Sequence, residues 1–195
     1  MTKKILIPIT FVFAFLLSLA AWPGLAPATE KANILVQIVN ELTSTNPLST
    51  AKDNMVFTKS FAITDGTGVN KAESIFRDRR TLTASSNEEL DLNGVLTDSF
   101  GATITFTKIK AIVISAASAN TNNVLVGGSA INGFINWVSD ATDKIVVHPN
   151  GIFFLMNPTS GGYGVTPATG DLLKIENSAG GTSVVYDIII IGETT

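Results

Sequence analysis

Residues 170–192 read GDLLKIENSAGGTSVVYDIIIIG, and this stretch decides the fold. Two apolar runs of strand length, residues 171–175 and 183–191, flank a polar, glycine-containing turn segment at residues 177–182. This pattern predicts a β-hairpin. A strand with one solvent-exposed face alternates between polar and apolar residues, whereas the end of the second run is apolar throughout. We therefore expect this end to be covered on both faces, inside a sandwich or under a neighbouring subunit. That end consists of Ile188, Ile189, Ile190 and Ile191.

Further strand signals precede this stretch. Residues 33–39 form a compact apolar run, followed by a polar connection at residues 41–49. Alternation at residues 55–63 predicts a half-buried strand with Met55, Phe57, Lys59, Phe61 and Ile63 on one face. Residues 72–82 predict a short turn or helix and then a strand, and the apolar run at residues 134–138 predicts a short strand.

Turn signals recur at short intervals along the chain, and no segment shows a convincing amphipathic helical pattern. These features predict an all-β fold. The specific form that we expect is a jelly-roll-like β-sandwich. Hydrophobic residues make up 45% of the 195 residues and charged residues 15%, so the chain has enough apolar sequence to bury a sizeable core.

The N-terminal residues have the features of a secretory signal peptide. Lys3 and Lys4 precede an apolar run at residues 5–21, and Ala26-Pro27-Ala28 supplies the small residues that signal peptidase reads, which places cleavage before Thr29. A retained membrane anchor and a buried arm in an assembly are the alternatives.

The domains that we predict follow from this leader. They are a hydrophobic leader at residues 1–28, an N-terminal strand and linker at residues 29–50, and a β-sandwich domain at residues 51–195. Contact with a membrane is expected only through the leader, if it is not cleaved.

Composition excludes several function classes. The formal net charge is −3, which is not the basic balance typical of nucleic-acid binding. The chain has no cysteine, so it contains no disulfide, no thiolate nucleophile and no cysteine-ligated metal. These observations leave a core or oligomerisation as the source of stability.

The sequence offers little for catalysis or metal binding. His148 is the only histidine, and Ile131 stands where a G-x-S-x-G nucleophile motif beginning at Gly127 needs a second glycine. Asp140 and Asp143 are close in sequence but lack the EF-hand pattern of calcium ligands. We therefore predict no catalytic, cofactor-binding or metal site, and interpret the chain as a protein that is not an enzyme.

Two sets of residues are candidates for recognition. The candidate interface residues are apolar positions of the first and last predicted strands, namely Val36, Ile38, Ile188, Ile189, Ile190 and Ile191. The candidate ligand contacts are two aromatic residues able to stack on a sugar, Trp137 and Tyr163, and two arginines that share a strand face, Arg77 and Arg79. For Trp137, packing in a core or interface is the competing interpretation, and for the arginines it is pairing with carboxylates of a neighbouring strand.

Four segments of the chain resemble a known group of proteins. Over residues 32–192 the chain is similar to small virion structural proteins encoded by tailed phages and prophages. The resemblance implies a β-sandwich subunit in a homo-oligomer, with packing and turn positions in place of an active site. The segments are TDGTGVNKAESIFRDRRTLTASSNEELDLNG at residues 64–94, LTDSFGATITFTKIKAIVI at residues 96–114, NTNNVLVGG at residues 120–128, and residues 170–192 quoted above.

Two functional hypotheses follow. The first is a structural, self-assembling subunit of a phage virion, in a capsid decoration, tail or fibre, whose partners are its own copies and other structural proteins of the assembly. The second follows from the leader, which the resembling proteins do not usually carry. It is a secreted or cell-surface subunit that forms a surface assembly or binds glycans.

Overall fold

The computed structural model describes residues 29–195, so the predicted leader and its cleavage site lie outside the described residues. The all-β prediction is confirmed: residues 29–195 contain no helix, and hence none long and apolar enough to span a membrane. The strands of these residues are β1 (Lys31–Asn46), β2 (Ser49–Asp65), β3 (Lys71–Ala72), β4 (Ser74–Leu82), β5 (Asn87–Asp91), β6 (Asn93–Thr97), β7 (Thr103–Thr105), β8 (Lys108–Ala116), β9 (Val124–Gly127), β10 (Lys144–Val147), β11 (Ile152–Met156), β12 (Tyr163–Gly164), β13 (Leu172–Asn177) and β14 (Val184–Glu193).

Two antiparallel sheets share one hydrophobic cluster. The five-stranded sheet has the order β11-β8-β14-β4, with β12 also paired to β8, and the four-stranded sheet has the order β10-β9-β13-β5. Ile188 and Ile190 of the first sheet and Leu173 and Ile175 of the second are all within this cluster and at most 1% exposed. Buried positions alternate along β13 and along residues 184–190 of β14, as expected for sheets with one face on a core.

The predicted hairpin at residues 170–192 is wrong in its pairing. Both of its strands exist, but β13 pairs with β5 and β9 while β14 pairs with β4 and β8. Residues 178–183 therefore connect two different sheets. A hairpin and a crossover between two sheets have the same strand–turn–strand sequence pattern. Here β13 and β14 pair with strands from elsewhere in the chain, and both contribute apolar residues to the core between the two sheets.

A long hairpin precedes the two sheets. Strands β1 and β2 pair from Lys31↔Thr64 to Asn46↔Ser49, and only Pro47 and Leu48 form the turn. The predicted connection at residues 41–49 is therefore wrong, because its polar residues are strand residues satisfied by the partner strand. The predicted domain boundary after residue 50 is wrong for the same reason, since it divides this hairpin. We call β1 and β2 together the arm.

The arm is attached to the body by its base. Ile63 lies in a small second hydrophobic cluster with Ala111 and Ile191, and Ala32 and Ile34 pack against that cluster. Strand β3 adds a short parallel pairing to β2, at Thr64↔Lys71. The base of the arm thus covers one end of the five-stranded sheet, on the face opposite the main core.

Two other local predictions need correction. Residues 72–82 contain no helix, because Ile75 and Phe76 belong to β4 and face opposite sides of the sheet. Residues 134–138 form a turn region and not a strand. There the Trp137 Nε1–H donates to the Phe134 carbonyl oxygen at 2.8 Å, and the segment hydrogen-bonds to β13 only at its start, where the Phe134 N–H donates to the Leu172 carbonyl oxygen.

Candidate self-association surface

One face of the arm is mainly apolar from its base to Leu42. Directly paired residues of an antiparallel ribbon lie on the same side, so each register pair can be assigned to one face. This face, which we call the arm's apolar face, also carries polar residues at Lys59, Asn40 and Asp53 and is polar beyond Leu42 except for Ala51. Its apolar residues are Ala32, Ile34, Val36, Ile38 and Leu42 from β1 and Ile63, Phe61, Phe57 and Met55 from β2. The alternation predicted for residues 55–63 is therefore correct.

Burial along this face falls steadily toward the tip. Ile63 is fully buried at the base, whereas Ile38 is 53% exposed, Phe57 49% and Leu42 65%. Lys59 lies between the two phenylalanines with its ammonium 5.4 Å from the centre of the Phe61 ring. The same apolar face that seats the arm on its own body thus continues outward without a partner among the described residues.

A second apolar surface lies on the outer face of the five-stranded sheet. Ile189 pairs with Val113, which pairs with Phe154, so these three side chains form one row across the sheet. Ile189 is 36% exposed, and Ile152, two residues from Phe154 on the same face, is 67% exposed. We call the residues Ile189, Val113, Phe154 and Ile152 the outer row.

The six candidate interface residues fall in three places. Ile188 and Ile190 are fully buried in the main core, and Ile191 is 5% exposed beneath the base of the arm. These three side chains have no surface to offer a second protein. Ile189 lies in the outer row, and Val36 and Ile38 lie on the arm's apolar face. The expectation that the isoleucine run is covered on both faces is met for all of it except Ile189.

The candidate arginines border the outer row. Arg79 donates two hydrogen bonds to the Asp187 carboxylate of the neighbouring strand, at 2.6 and 2.8 Å. The hydrogen bonds from Arg79 hold the pKa of Asp187 below its usual value. Arg77, paired with Ile189, donates to the Ser99 hydroxyl at 3.2 Å. Arg79 therefore pairs with a carboxylate of the neighbouring strand, as in the alternative to ligand binding given in the sequence analysis.

The candidate aromatic residues are packed. The Trp137 ring lies against Phe153, with 5.4 Å between ring centres, and both Trp137 and Tyr163 pack against the main core. Burial raises the pKa of the Tyr163 hydroxyl. The rings are half-buried, so their accessible faces are smaller than those of an open stacking platform.

Local hydrogen bonds occupy the polar residues considered for catalysis or metal binding. His148 Nδ1 lies 3.0 Å from the Asn123 side-chain oxygen. Asp140 accepts hydrogen bonds from Thr142, and Asp143 accepts from the backbone N–H groups of residues 139 and 140. Within residues 29–195, no group of three or more histidine or acidic side chains is arranged to hold a metal ion.

A buried ion pair next to the arm was not predicted. Lys110 and Glu193 are fully buried, with Nζ and Oε1 2.9 Å apart, and Glu193 also accepts from Lys108 and from the Gly68 N–H. The Lys110 ammonium donates to the carbonyl oxygens of Gly68 and Thr159. Lys110 lies where the pairing of β8 and β14 shifts register, and a charged residue inside an apolar run was the only sequence signal for it.

The surface missed most clearly by sequence reasoning is the distal arm. Leu42, Met55 and Phe57 were not chosen as interface candidates, although the alternation at residues 55–63 placed two of them on an apolar face. Comparison of the chain with protein-family models, with curated proteins and with solved structures finds no match.

Proposed function

We propose that the protein is a structural, self-associating subunit that assembles through the arm and the outer row. The observation that carries this proposal is the arm's apolar face, which is buried at the base and about half exposed at Ile38, Phe57 and Met55. A two-stranded ribbon is marginally stable in water by itself, so an arm of this length needs a surface to pack on. Large exposed apolar patches mark association sites.

The fold that we propose for the body is a jelly-roll β-sandwich. Its support is the strand order, because each strand of one sheet has its chain neighbour at the same position of the other: β11 with β10, β8 with β9, β14 with β13, and β4 with β5. Eight strands arranged in two such sheets are typical of jelly rolls, which occur in viral capsid proteins and in lectins. The shared hydrophobic cluster supports the face-to-face packing.

The assembly that we propose is a phage virion, in a capsid decoration, tail or fibre. The support is the resemblance of residues 32–192 to phage and prophage virion proteins, together with the exposed arm. A secreted or cell-surface assembly is the second candidate, and the signal-peptide features of residues 1–28 favour it. Intact-mass measurement of the purified protein separates the two. A chain that starts at Thr29 favours secretion, and a chain that keeps Met1 or Thr2 favours a virion or membrane arm.

Light scattering tests the proposal. We expect a discrete oligomer for the wild type and loss of assembly or solubility for Ile189→Asp, because a carboxylate on the outer row must be desolvated in the interface. The matched control is Val146→Asp, at an apolar residue of similar exposure, 48%, on the outer face of the four-stranded sheet. A monomeric wild type contradicts self-association, and an unchanged Ile189→Asp oligomer contradicts the use of this surface.

A further inference from the structure

The chain already contains one example of the arm packing on the five-stranded sheet. At the base, Ala32, Ile34 and Ile63 cover a row of the outer face formed by Ile191, Ala111 and Met156. Small and β-branched side chains of the ribbon thus meet small and aliphatic side chains of the sheet. This contact shows what the arm's apolar face packs against when it is buried.

The outer row repeats that surface two residues farther along the same strands. Ile189, Val113 and Phe154 follow Ile191, Ala111 and Met156 at the period of two that keeps side chains on one face. On the arm, Val36, Ile38 and Phe57 lie on the same face as the residues that cover the sheet at the base, but farther toward the tip. Among residues 29–195, the distal arm and the outer row are thus both exposed and both carry apolar side chains.

The arm's own distal half does not cover the outer row in the chain. Ile38 and Leu42 remain 53% and 65% exposed, and Ile152 of the outer row is 67% exposed. The base is held in place by Ile63 and by the hydrogen bond from the Thr64 N–H to the Asn70 carbonyl oxygen at 3.0 Å. The distal half is thus directed away from the body and is available to another copy.

The size of the contact fits an exchange between copies. Eleven register pairs, from Val36↔Lys59 to Asn46↔Ser49, form the distal arm. At about 3.3 Å per residue and a ribbon width of about 10 Å, one face covers about 350 Å². Two copies that exchange arms with each other each give one arm and receive one, so each buries about 700 Å² against its partner, close to the roughly 800 Å² per partner of a stable interface.

We infer that the distal arm of one copy packs with its apolar face on the outer row of a second copy. This inference rests on the proposed function and specifies the two surfaces that meet. The exchange is reciprocal, so each copy presents both surfaces to the same neighbour and the contact is isologous.

Disulfide trapping tests the inference, since the chain has no cysteine of its own. Phe57→Cys and Ile189→Cys are made in separate full-length chains that differ in mass by a tag, mixed under reducing conditions, and then oxidised. A disulfide between the two chains requires the arm of one copy to lie on the sheet of another, with Cα atoms about 4.4–6.8 Å apart. Ile152→Cys is the second acceptor variant, used if Ile189→Cys fails to assemble.

Two controls define the expected result. Thr58→Cys places the thiol on the opposite face of the arm, and Ile145→Cys places it on the other sheet at an exposure similar to that of Ile189. We expect the mixed disulfide of Phe57→Cys with an outer-row variant to exceed either control about tenfold. Equal yields in a wild-type protein that is oligomeric by light scattering overturn this inference and leave self-association standing. A monomeric wild type overturns both.

Discussion

The buried carboxylate of Glu193 connects β14 with β8 and with the loop that follows the arm. It accepts from Lys108 and Lys110 of β8 and from the Gly68 N–H in the loop that leaves the arm. Next to it, Gly192 cannot carry a side chain, because a Cβ there would collide with the Lys108 carbonyl oxygen. Burial alone raises the pKa of Glu193, but the hydrogen bonds from Lys108, Lys110 and Gly68 outweigh it, so the pKa lies below its usual value.

Replacing Glu193 by glutamine is expected to lower the free energy of unfolding by about 3–5 kcal/mol at neutral pH, because Lys110 stays buried without its counter-charge. The measurement is urea unfolding. The matched control is Glu176→Gln, which removes a partly exposed pair with Lys144 and is expected to cost about 1 kcal/mol or less. Equal losses in the two variants would contradict a special role for the buried pair.

The same variant also changes the pH dependence. A carboxyl group with a lowered pKa in the folded state contributes stability that is present above its unfolded pKa of about 4.3 and is lost as the pH falls through the folded pKa. The wild type therefore loses this contribution below about pH 5, whereas Glu193→Gln has no such contribution to lose. We expect a smaller decrease in unfolding free energy for Glu193→Gln than for the wild type on acidification.

At the scale of the element, the arm is the part whose stability depends on its surroundings. Within residues 29–195, its distal strands pair with each other alone and expose both faces. We expect backbone amides of residues 40–55 to exchange with deuterium rapidly at low protein concentration and more slowly at a concentration where the oligomer forms, because packing on a second copy suppresses local opening. Amides of β8 and β14 serve as the control, with slow exchange at both concentrations. Fast exchange of the distal arm in the oligomer would contradict its burial.

The two faces of the arm could be read from the sequence, but its length could not. Met55, Phe57 and Phe61 alternate with polar residues, and this period of two is a local property of the chain. Residues 41–46 have no such pattern, since Leu42 is their only apolar residue. Their strand conformation comes from the ladder with β2, which is not a local property. The candidate interface therefore included Val36 and Ile38 and missed Leu42.

At the scale of the whole molecule, the all-β class was predictable and the strand pairing was not. The isoleucines at positions 188 to 191 predicted a strand covered on both faces, because they are β-branched residues without alternation, and this is met except at Ile189. Which strands flank it depends on contacts with β4 and β8, about 70 to 110 positions earlier in the chain. The turn segment at residues 177–182 is compatible with a hairpin as well as with a crossover between sheets. The local pattern alone therefore predicted that β13 pairs with β14, which is wrong.

One end of the molecule is held by a polar network between the loops that connect the two sheets. Asn177, 2% exposed, donates its side-chain amide to the carbonyl oxygens of Thr83 and Thr182, at 3.0 and 2.8 Å. Its oxygen accepts from the Asn122 side chain at 3.0 Å. The β4–β5, β8–β9 and β13–β14 connections therefore meet at this one side chain. Because each connection crosses between the sheets, the network couples them.

Replacing Asn177 by alanine should therefore weaken the whole body and not one loop. The side chain of Asn177 makes three hydrogen bonds of 2.8–3.0 Å and two longer ones, all of which are lost, so we expect the free energy of unfolding to fall by about 2–3 kcal/mol, at about 1 kcal/mol for each of the shorter bonds. Asn54→Ala, in the exposed arm, is the control and is expected to change stability by less than about 0.5 kcal/mol. Urea unfolding followed by tryptophan fluorescence and by circular dichroism should give coincident transitions for the variant, shifted together to lower urea. Two separate transitions, or no shift in the transition, would contradict a network that couples the sheets. Either result would mean that Asn177→Ala destabilises only the connecting loops.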